Sequence, residues 1–381
     1  MSLIERISRP GNKRLLSIDG GGIRGVLALE ILQRIEDLLR PDGDDGRFRL
    51  AHYFDYIAGT STGGIIAAGL SMGMSVNEIL KFYETCGTQM FVRANLLERL
   101  RYKFDSEPLA LKLMEVFGED TTLGSSKLQT LLLLVMRNAS TDSPWPLSNN
   151  PYGKYNDPMR FDDNSKIPLW QLVRASTAAP TYFPPEVILL PGGTETKSKQ
   201  FVFVDGGVTM YNNPTFQMFL MATVDSYWAT KPDARWQSGT DKMLIVSVGT
   251  GTSPDVRAGL DPSDMNLLFN ATAIPSALMF AASNEQDLLC RIFGDCRAGE
   301  SIDREVGDLL GSAGPLARET KLFTYARYNA ELTRTGLDAL GLPHIKPEIV
   351  QKMDAIDGMS DLREVGRKAA GRVKKEHFSG F

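Results

Sequence analysis

The sequence predicts an α/β fold of three layers, with a central, mainly parallel sheet between helices and a C-terminal helical extension. Two observations predict it. Short apolar runs alternate along the chain with segments of helical periodicity, an order typical of α/β proteins. Three of these runs end in glycine-marked turns, at residues 19–25, 59–63 and 205–207. Because ligands of open α/β sheets lie outside the carboxyl ends of the strands, the three turns could converge on one crevice.

The first turn lies within a strand, turn and helix predicted over residues 14–40. One helical face is marked by apolar residues spaced four, four and three apart: Leu27, Ile31, Ile35 and Leu38. Glycines that open a helix present backbone N–H groups without intrahelical partners, and the helix dipole adds positive partial charge. The turn therefore favours an anion, either a phosphate or the oxyanion of a tetrahedral acyl intermediate.

The second turn, GTSTG at residues 59–63, has the Gly-x-Ser-x-Gly pattern of a nucleophile elbow. A sharp turn from a strand into a helix needs small residues on both sides of the nucleophile, because bulkier ones keep the backbone from folding tightly enough to expose the hydroxyl. We expect the strand at 53–58 and the helix at 64–70, which is rich in Ala and Ile. Ser61 is therefore the candidate nucleophile.

The third turn follows four apolar residues, FVFV at 201–204, which predict a buried strand. Asp205 would lie at the C-terminal end of that strand. With an ordinary pKa of about 3.9 an aspartate is a weak base for a hydroxyl, but partial burial would raise its pKa by desolvation. Asp205 is thus the candidate general base that accepts the proton of Ser61.

The histidines do not offer a better base. The chain has three, and none lies on a motif: His52, His344 and His377. His52 precedes the strand that leads to Ser61 and so lies at its wrong end, whereas a Ser-His-Asp triad needs a histidine held beside the serine. The sequence therefore favours a Ser-Asp pair over a triad.

Taken together, the three motifs resemble the three blocks of patatin-like phospholipases, in that family's order. Residues 174–180 and 182–185 resemble a further block of the family, and the resemblance is specific from about residue 14 to residue 250. It implies a lipid acyl hydrolase that cleaves fatty-acyl esters of membrane phospholipids through an acyl-serine intermediate, with no metal or cofactor.

The resemblance also implies roles within the motifs. Ser61 would be the nucleophile, and Asp205 the base that also orients it. The backbone amides of Gly20, Gly21 and Gly22 would form the oxyanion hole. The remaining motif residues would support these groups: Asp19, Arg24, Gly25, Gly59, Gly63, Gly206 and Gly207.

Other functions remain open. Residues 20–25 also fit Gly-x-Gly-x-x-Gly, but a dinucleotide site would want an acidic residue ending a second strand roughly 20 residues on, and Glu36 and Asp37 fall inside the predicted helix. A thioesterase or general esterase on soluble substrates would use the same dyad. As in some bacterial members of the family, a cyclic nucleotide could activate the phospholipase as an effector of antiphage defence. Arg24 could pair with a lipid phosphate or be an ordinary surface residue.

Composition limits the partners and the location. The net charge of −4 and the pI of about 5.6 argue against nucleic acid as a partner. The cysteines, Cys86, Cys290 and Cys296, are too few for a disulfide framework and favour a reducing compartment, and without a nearby histidine they predict no metal site. Residues 1–14 have no apolar h-region and no apolar run of about 18 residues occurs in the sequence, so we expect neither an ordinary signal peptide nor a transmembrane helix. We therefore expect a cytoplasmic protein that contacts membranes peripherally.

We expect one structural domain, with a catalytic core at 14–251 and a mostly helical extension at 252–381 packed on it. Further helices are predicted at 76–90, 108–117, 169–177 and 213–228, and further strands at 131–135, 243–248 and near 321–325. Residues 141–164 are predicted to be an irregular loop, and residues 192–200 a polar turn.

Two segments of the extension have two interpretations each. The last predicted helix, at 361–378, has an apolar stripe and a basic side, which suits either docking against the core or contact with anionic lipid. Leu278, Met279 and Phe280 could line an acyl channel or belong to the core.

Overall fold

A computed structural model describes residues 2–90, 102–190, 199–253, 267–312 and 314–381. Its strands are β1 (Lys13–Ile18), β2 (Tyr56–Thr60), β3 (Leu131–Asn138), β4 (Ser143–Ser148), β5 (Glu186–Leu190), β6 (Lys199–Asp205), β7 (Met243–Val248), β8 (Gly294–Ala298) and β9 (Phe323–Tyr328). Its α-helices are α1 (Leu3–Ser8), α2 (Gly25–Leu39), α3 (Leu50–Tyr53), α4 (Thr62–Ser71), α5 (Val76–Met90), α6 (Glu107–Phe117), α7 (Leu169–Ser176), α8 (Thr215–Thr223), α9 (Leu267–Phe293), α10 (Arg334–Ala339), α11 (Pro347–Val350) and α12 (Met359–Ala370).

The strands of the described ranges form one nine-stranded mixed sheet in the order β5-β6-β3-β2-β1-β7-β9-β8, with β4 paired to β3. The pairs from β3 through β2, β1, β7 and β9 to β8 are all parallel. Strands β4, β5 and β6 are attached by antiparallel pairs. The predicted α/β fold with a mainly parallel sheet is therefore confirmed.

The sheet separates two apolar cores. Along β3, Leu132 and Leu134 belong to one core and Leu131 and Leu133 to the other, as the two-residue period of a strand requires. Helices α2, α4, α5, α6, α7 and α12 cover the first face, and α8 and α9 cover the second. Because both faces are covered, the central strands are continuous apolar runs, and the fold has the predicted three layers.

Strand β3 also determines where β2 and β6 end. Strand β2 runs parallel to β3 up to the pair Thr60 and Val135. Strand β6 runs antiparallel to β3, and its last residue, Asp205, pairs with Met136. Met136 is the residue of β3 that follows Val135, the partner of Thr60. The C-terminal ends of β2 and β6 therefore meet head to head beside β3. This arrangement brings the second and third glycine-marked turns together from opposite directions.

Strand β4 lies within the segment predicted to be an irregular loop at 141–164, so that prediction is wrong for part of it. Its sequence, SPWPLS, contains two prolines, which argue against a strand in the middle of a sheet. In the described sheet, β4 pairs only with β3, so one edge of β4 has no partner strand. Pro144 and Pro146 are two residues apart, and backbone N–H groups two residues apart in a strand point to the same edge. The two missing N–H groups therefore face away from β3, where no hydrogen bond is lost.

The other differences lie at the ends of elements. Because α3 occupies Leu50–Tyr53, strand β2 begins at Tyr56 rather than at 53. The helix predicted at 213–228 is α8 followed by a 3-10 turn at Asp225–Trp228, and the last predicted helix ends at Ala370. Strands β5 and β8 were not predicted. The turn predicted at 192–200 lies outside the described residues except at its end.

Helix α12 docks by its apolar stripe, as the first interpretation of this segment predicts. Leu362 and Val365 are fully buried in the core that α2 also covers. Two of its basic side chains form ion pairs within the protein: Arg363 pairs with Glu30 at 2.5 Å and also with Glu84, and Arg367 pairs with Glu30 at 3.3 Å. The C-terminal segment also contributes β8 and β9 to the sheet, and the division at residue 251 stays a prediction. None of the described helices is both long and apolar enough to cross a bilayer.

Candidate active site

Ser61 lies at a tight turn between β2 and α4 and has φ 55° and ψ −124°, a left-handed conformation that is rare for serine. The flanking glycines allow this turn. A side chain at Gly63 would come within 2.3 Å of the Ile18 carbonyl oxygen, and one at Gly59 within 2.0 Å of the Gly63 carbonyl oxygen. Ser176 holds the turn from behind, because its Oγ accepts the Ser61 N–H at 2.9 Å. The elbow predicted from the motif is therefore the observed local structure.

Asp205 faces Ser61 across the junction of β2 and β6. The Ser61 hydroxyl donates to Asp205 Oδ2 at 2.6 Å, and the Gly207 N–H donates to Oδ1 at 2.6 Å. Burial raises the pKa of Asp205 to about 6, although these two hydrogen bonds and the positive charge of Arg174 oppose the change. The carboxylate is thus a stronger base than an exposed aspartate and is in contact with the proton it would accept.

The glycine turn after β1 borders the same cavity as Ser61, and its three amides differ. The Gly20 N–H donates to the Asn212 carbonyl at 3.0 Å, so it is not available to an oxyanion. Gly21 and Gly22 line the cavity, and their N–H groups have no hydrogen-bond partner among the described residues. The three donors that the family resemblance implies are therefore reduced to two.

The carbonyl groups of this turn are held from behind. Thr250 Oγ1 donates to the Gly20 carbonyl at 2.6 Å, and the Arg24 N–H and Nε donate to the Gly21 carbonyl at 3.3 and 3.4 Å. In a planar trans peptide the carbonyl and the following N–H point in opposite directions. Thr250 and Arg24 therefore aim the Gly21 and Gly22 N–H groups away from themselves and toward the cavity. Arg24 is buried rather than a surface residue, and burial lowers its pKa to about 10.

Asp19 is buried below the turn and takes no part in the cavity. Its two carboxylate oxygens accept from Arg327 of β9 at 2.9 and 2.5 Å, and Arg327 also donates to Ser247 Oγ at 2.6 Å. A buried carboxylate requires such a partner, since desolvation alone would make its charge very costly. This ion pair fixes the start of the turn to the centre of the sheet.

The remaining motif glycines allow close packing around the dyad. A side chain at Gly206 would meet the Val135 carbonyl oxygen at 2.3 Å, and one at Gly25 would meet Thr62 Oγ1 at 2.5 Å. Thr62, in turn, hydrogen-bonds the hydroxyl of buried Tyr83 on α5. These contacts bring the turn after β1, the elbow and the turn after β6 into one packed unit.

The cavity beside Ser61 has a volume of about 420 Å³, within the usual range of ligand sites. Its buried end is formed by Ile65, Tyr83, Leu109 and Phe183, and its exposed mouth by Pro180, Thr181, Val208 and Ser276. Of the three residues predicted for an acyl channel, Met279 lines the cavity, whereas Leu278 is 64% exposed and Phe280 does not line it.

The histidines lie elsewhere. The ring of His52 on α3 accepts from the N–H of Arg49, the residue before that helix. His344 pairs with Glu364, and His377 contacts the Tyr328 hydroxyl. None of them lines the cavity. Within the described ranges, no three His, Cys, Asp or Glu side chains are grouped so that they could hold a metal ion.

A sequence model described as patatin-like phospholipase matches residues 16–219, which is more than half of the chain. The chain belongs to the patatin-like phospholipase family. The match includes all three glycine-marked turns and the residue 174–180 block.

Three relatives illustrate the range of this patatin-like family. The chain is 33% identical over 216 residues to a cGAMP-activated phospholipase of Vibrio cholerae serotype O1, an alignment that covers 53% of this chain and 56% of the relative. It is 31% identical to Patatin-17 of Solanum cardiophyllum, over 63% of this chain and 61% of that protein. It is 30% identical to an intracellular phospholipase A2 of Caenorhabditis elegans, over 65% of this chain and 20% of that protein. The chain thus spans less than two thirds of the length of each.

Four residues of this patatin-like site were missed as site residues in the sequence. Ser176 lies in the block at residues 174–180 that resembles the family, but its hydroxyl contacts a turn 115 residues earlier in the chain. Thr250 lies two residues after the end of β7, and its position just beyond a buried strand is a signal that marks it as a candidate. Asn212 and Arg327 had no local motif, because their partners, Gly20 and Asp19, are brought to them only by the sheet order.

Proposed function

We propose that this chain is a lipid acyl hydrolase that cleaves fatty-acyl esters of membrane phospholipids with a Ser61–Asp205 dyad. The observation that carries the proposal is the 2.6 Å hydrogen bond between the Ser61 hydroxyl and the Asp205 carboxylate at the edge of a largely apolar cavity. Membership of the patatin-like phospholipase family supports it.

In the proposed reaction, Ser61 Oγ attacks the ester carbonyl carbon while Asp205 Oδ2 accepts the hydroxyl proton. The carbonyl oxygen becomes an oxyanion and accepts hydrogen bonds from the N–H groups of Gly21 and Gly22. The carbon–oxygen ester bond then breaks, and Asp205 returns its proton to the leaving alcohol. Water, losing a proton to Asp205, attacks the acyl-serine, and the fatty acid leaves as Ser61 regains its proton.

The cavity suggests how a lipid would lie. Its buried end contains apolar side chains such as Ile65 and Leu109, which suit an acyl chain. The head group would then remain near the exposed mouth. Val208 is exposed and lines the cavity at this mouth, and two further exposed apolar residues lie near lining residues in the chain: Met210, two residues after Val208, and Leu278, next to Met279. In the proposal these residues contact the bilayer, and the protein acts peripherally at the membrane surface.

The experiment is fatty-acid release from mixed phospholipid vesicles by the wild type and by Ser61→Ala. We expect the wild type to release fatty acid and the variant to lose nearly all activity, by about a thousandfold or more. Ser8→Ala, which removes an exposed hydroxyl on α1, is the matched control and should remain fully active. Substantial release by Ser61→Ala would contradict the proposed nucleophile. A short-chain ester or thioester cleaved in place of phospholipid would favour an esterase on soluble substrates.

A second candidate is a phospholipase that a cyclic nucleotide activates. It is favoured by the relative from Vibrio cholerae, which is 33% identical and is named for activation by cGAMP. The same vesicle assay distinguishes the two: release only in the presence of a cyclic dinucleotide supports an effector, and equal release without it supports a constitutive hydrolase.

A further inference from the structure

A second and larger cavity, of about 710 Å³, is lined by neither the dyad nor the glycine turn after β1. It is bordered by β4, by the segment at 150–164 and by α8. Its volume is in the usual range of small-molecule sites. Because protein interiors leave few voids larger than a water molecule, a cavity of this size indicates that another molecule binds there.

Apolar side chains form most of the wall of this second cavity. Four of them are buried: Tyr56, Leu147, Leu190 and Met221. Tyr155 and Phe161 also line the cavity and are 46% and 49% exposed, so they mark its opening to solvent. An apolar wall that begins at exposed rings and continues to buried side chains suits a long apolar group that enters from solvent.

The polar side chains of this wall do not require a polar ligand. Asn156 donates to the Ser148 and Asn150 carbonyls at 2.7 Å, and Gln217 donates to the Tyr227 hydroxyl at 3.0 Å. Among the described residues, none of the buried side-chain N or O atoms that lack a hydrogen-bond partner belongs to this wall. The wall therefore has no buried group that only a polar ligand would satisfy, which favours an apolar one.

The opening of the second cavity has a net positive charge. Lys154 lines it, is exposed and forms no ion pair with the described residues; its ammonium lies 5.3 Å from the Tyr155 ring centre. Asp162 is the only carboxylate in the wall, and Arg160 donates to both of its oxygens at 2.7 and 2.8 Å. An anionic head group at this opening would therefore be attracted by Lys154 and would meet no unpaired carboxylate.

We propose that this second cavity binds a free fatty acid, with its carboxylate near Lys154 and its chain along the apolar wall. A fatty acid combines the two properties that the cavity selects. An uncharged alkyl chain would not use Lys154, and a small polar anion would leave the apolar wall in contact with water. That the bound acid is released by the protein itself rests on the proposed function.

The test must separate this site from the cavity beside Ser61, which would also hold an acyl chain. Of the four tryptophans, only Trp145 lines either of the two cavities, and it lines the second. The probe is undecanoate with a terminal bromine, because bromine quenches tryptophan fluorescence only at short range. We expect saturable quenching in the wild type and in Ser61→Ala, and loss of most of it in Trp145→Phe.

A second variant tests the same site at an exposed position. Phe161→Asp replaces a ring that is 49% exposed, so the melting temperature should not change. The aspartate removes apolar wall and repels the carboxylate of the acid. Calorimetry with the same acid should therefore show binding that is weaker by about tenfold or more.

Charge reversal at the opening tests the head group. Lys154→Glu should weaken binding of the acid by about tenfold, leave binding of the corresponding bromoalcohol unchanged and leave hydrolysis of a short-chain ester unchanged. Lys231→Glu is the matched control. Lys231 is also exposed and 5.3 Å from a tyrosine ring centre, that of Tyr152, but it lines neither cavity.

Each outcome decides a separate point. Absence of saturable quenching, equal quenching of Trp145→Phe, or unchanged binding by Phe161→Asp overturns the proposed site. Equal affinity of the wild type for the acid and the alcohol, or no effect of Lys154→Glu, overturns the assignment of a fatty acid. Absence of Ser61-dependent release from vesicles contradicts the proposed function instead, and leaves the binding results as they stand.

Discussion

At Asp205, burial and hydrogen bonding have opposite effects on the pKa of the carboxyl group. Burial favours the neutral carboxylic acid, while the Ser61 hydroxyl, the Gly207 N–H and the charge of Arg174 favour the carboxylate. Burial is the larger effect and raises the pKa to about 6. A base with this pKa is mostly ionised at neutral pH and still accepts a proton more readily than an ordinary aspartate.

We therefore expect hydrolysis to depend on ionised Asp205. The rate should be constant above the pKa of about 6 and should fall about tenfold per pH unit below it, because protonated Asp205 cannot accept the Ser61 proton. The measurement is kcat/KM on a soluble short-chain ester from pH 4 to pH 8. Asp205→Asn, the matched control, should be nearly inactive throughout. A flat profile through this range would contradict Asp205 as the base.

The same pKa can be measured without catalysis. Since the folded-state pKa is raised above its unfolded value, the native state loses stability as pH rises from about 4 to about 6, and the loss is then constant at higher pH. Asp205→Asn avoids this cost, so its stability relative to the wild type should increase on the order of 2 kcal/mol between about pH 4 and pH 7. Urea unfolding at several pH values checks this, and a constant difference would mean that the pKa is not raised.

At the scale of elements, the site is a meeting of strand ends. Strands β1, β2 and β7 end side by side, and β6 arrives antiparallel to close the group. The glycine turn after β1 is then held by Thr250, which follows β7, and by Asn212, which follows β6. The orientation of the Gly21 and Gly22 amides is thus a property of neighbouring elements, and the turn alone does not determine it.

This predicts a role for a hydroxyl that does not touch the substrate. Thr250→Val keeps the volume but removes the donor to the Gly20 carbonyl, so the Gly21 N–H is less well aimed at an oxyanion. We expect kcat to fall about tenfold with little change in KM, and Thr250→Ser to restore most of it. Thr252→Val is the matched control, because the Thr252 hydroxyl also bonds a backbone carbonyl, that of Ala330. Equal losses in both variants would indicate a structural effect only.

The sequence predicts those features of the fold and the site that depend on residues adjacent in the chain. It does not predict those that depend on contacts between residues far apart in the chain. The elbow at Ser61, Asp205 after its apolar run and the layered sheet all follow from residues adjacent in the chain. The Asp19–Arg327 pair spans 308 residues and depends on the sheet order, which periodicity does not contain. Strand β4 was missed because its prolines suggest a loop, and only pairing on one edge permits them. The sequence likewise could not show that the Gly20 N–H is already hydrogen-bonded, because its acceptor, the Asn212 carbonyl, lies far away in the chain.

For the whole molecule, the structure changes where membrane contact is expected. On α12, Arg363 and Arg367 both form ion pairs with Glu30, and these two side chains are less available for anionic lipid. The mouth of the cavity beside Ser61 instead has exposed apolar side chains close to the dyad. An apolar rim that partly enters a bilayer would let an acyl chain pass into the cavity without crossing water.

A charge placed on this rim should therefore separate lipid binding from chemistry. Leu278→Asp puts a carboxylate where the apolar side chain is 64% exposed, one residue before Met279 of the cavity wall. We expect phospholipid release from vesicles to fall about tenfold or more, since burying a charge in the interface is costly, while hydrolysis of a soluble short-chain ester stays unchanged. Leu111→Asp on α6, at a leucine that is 56% exposed and lines neither cavity, should leave both activities intact. A parallel loss on vesicles and on the soluble ester would instead mean that Leu278 supports the structure of the site, and no loss on vesicles would place membrane contact on another surface.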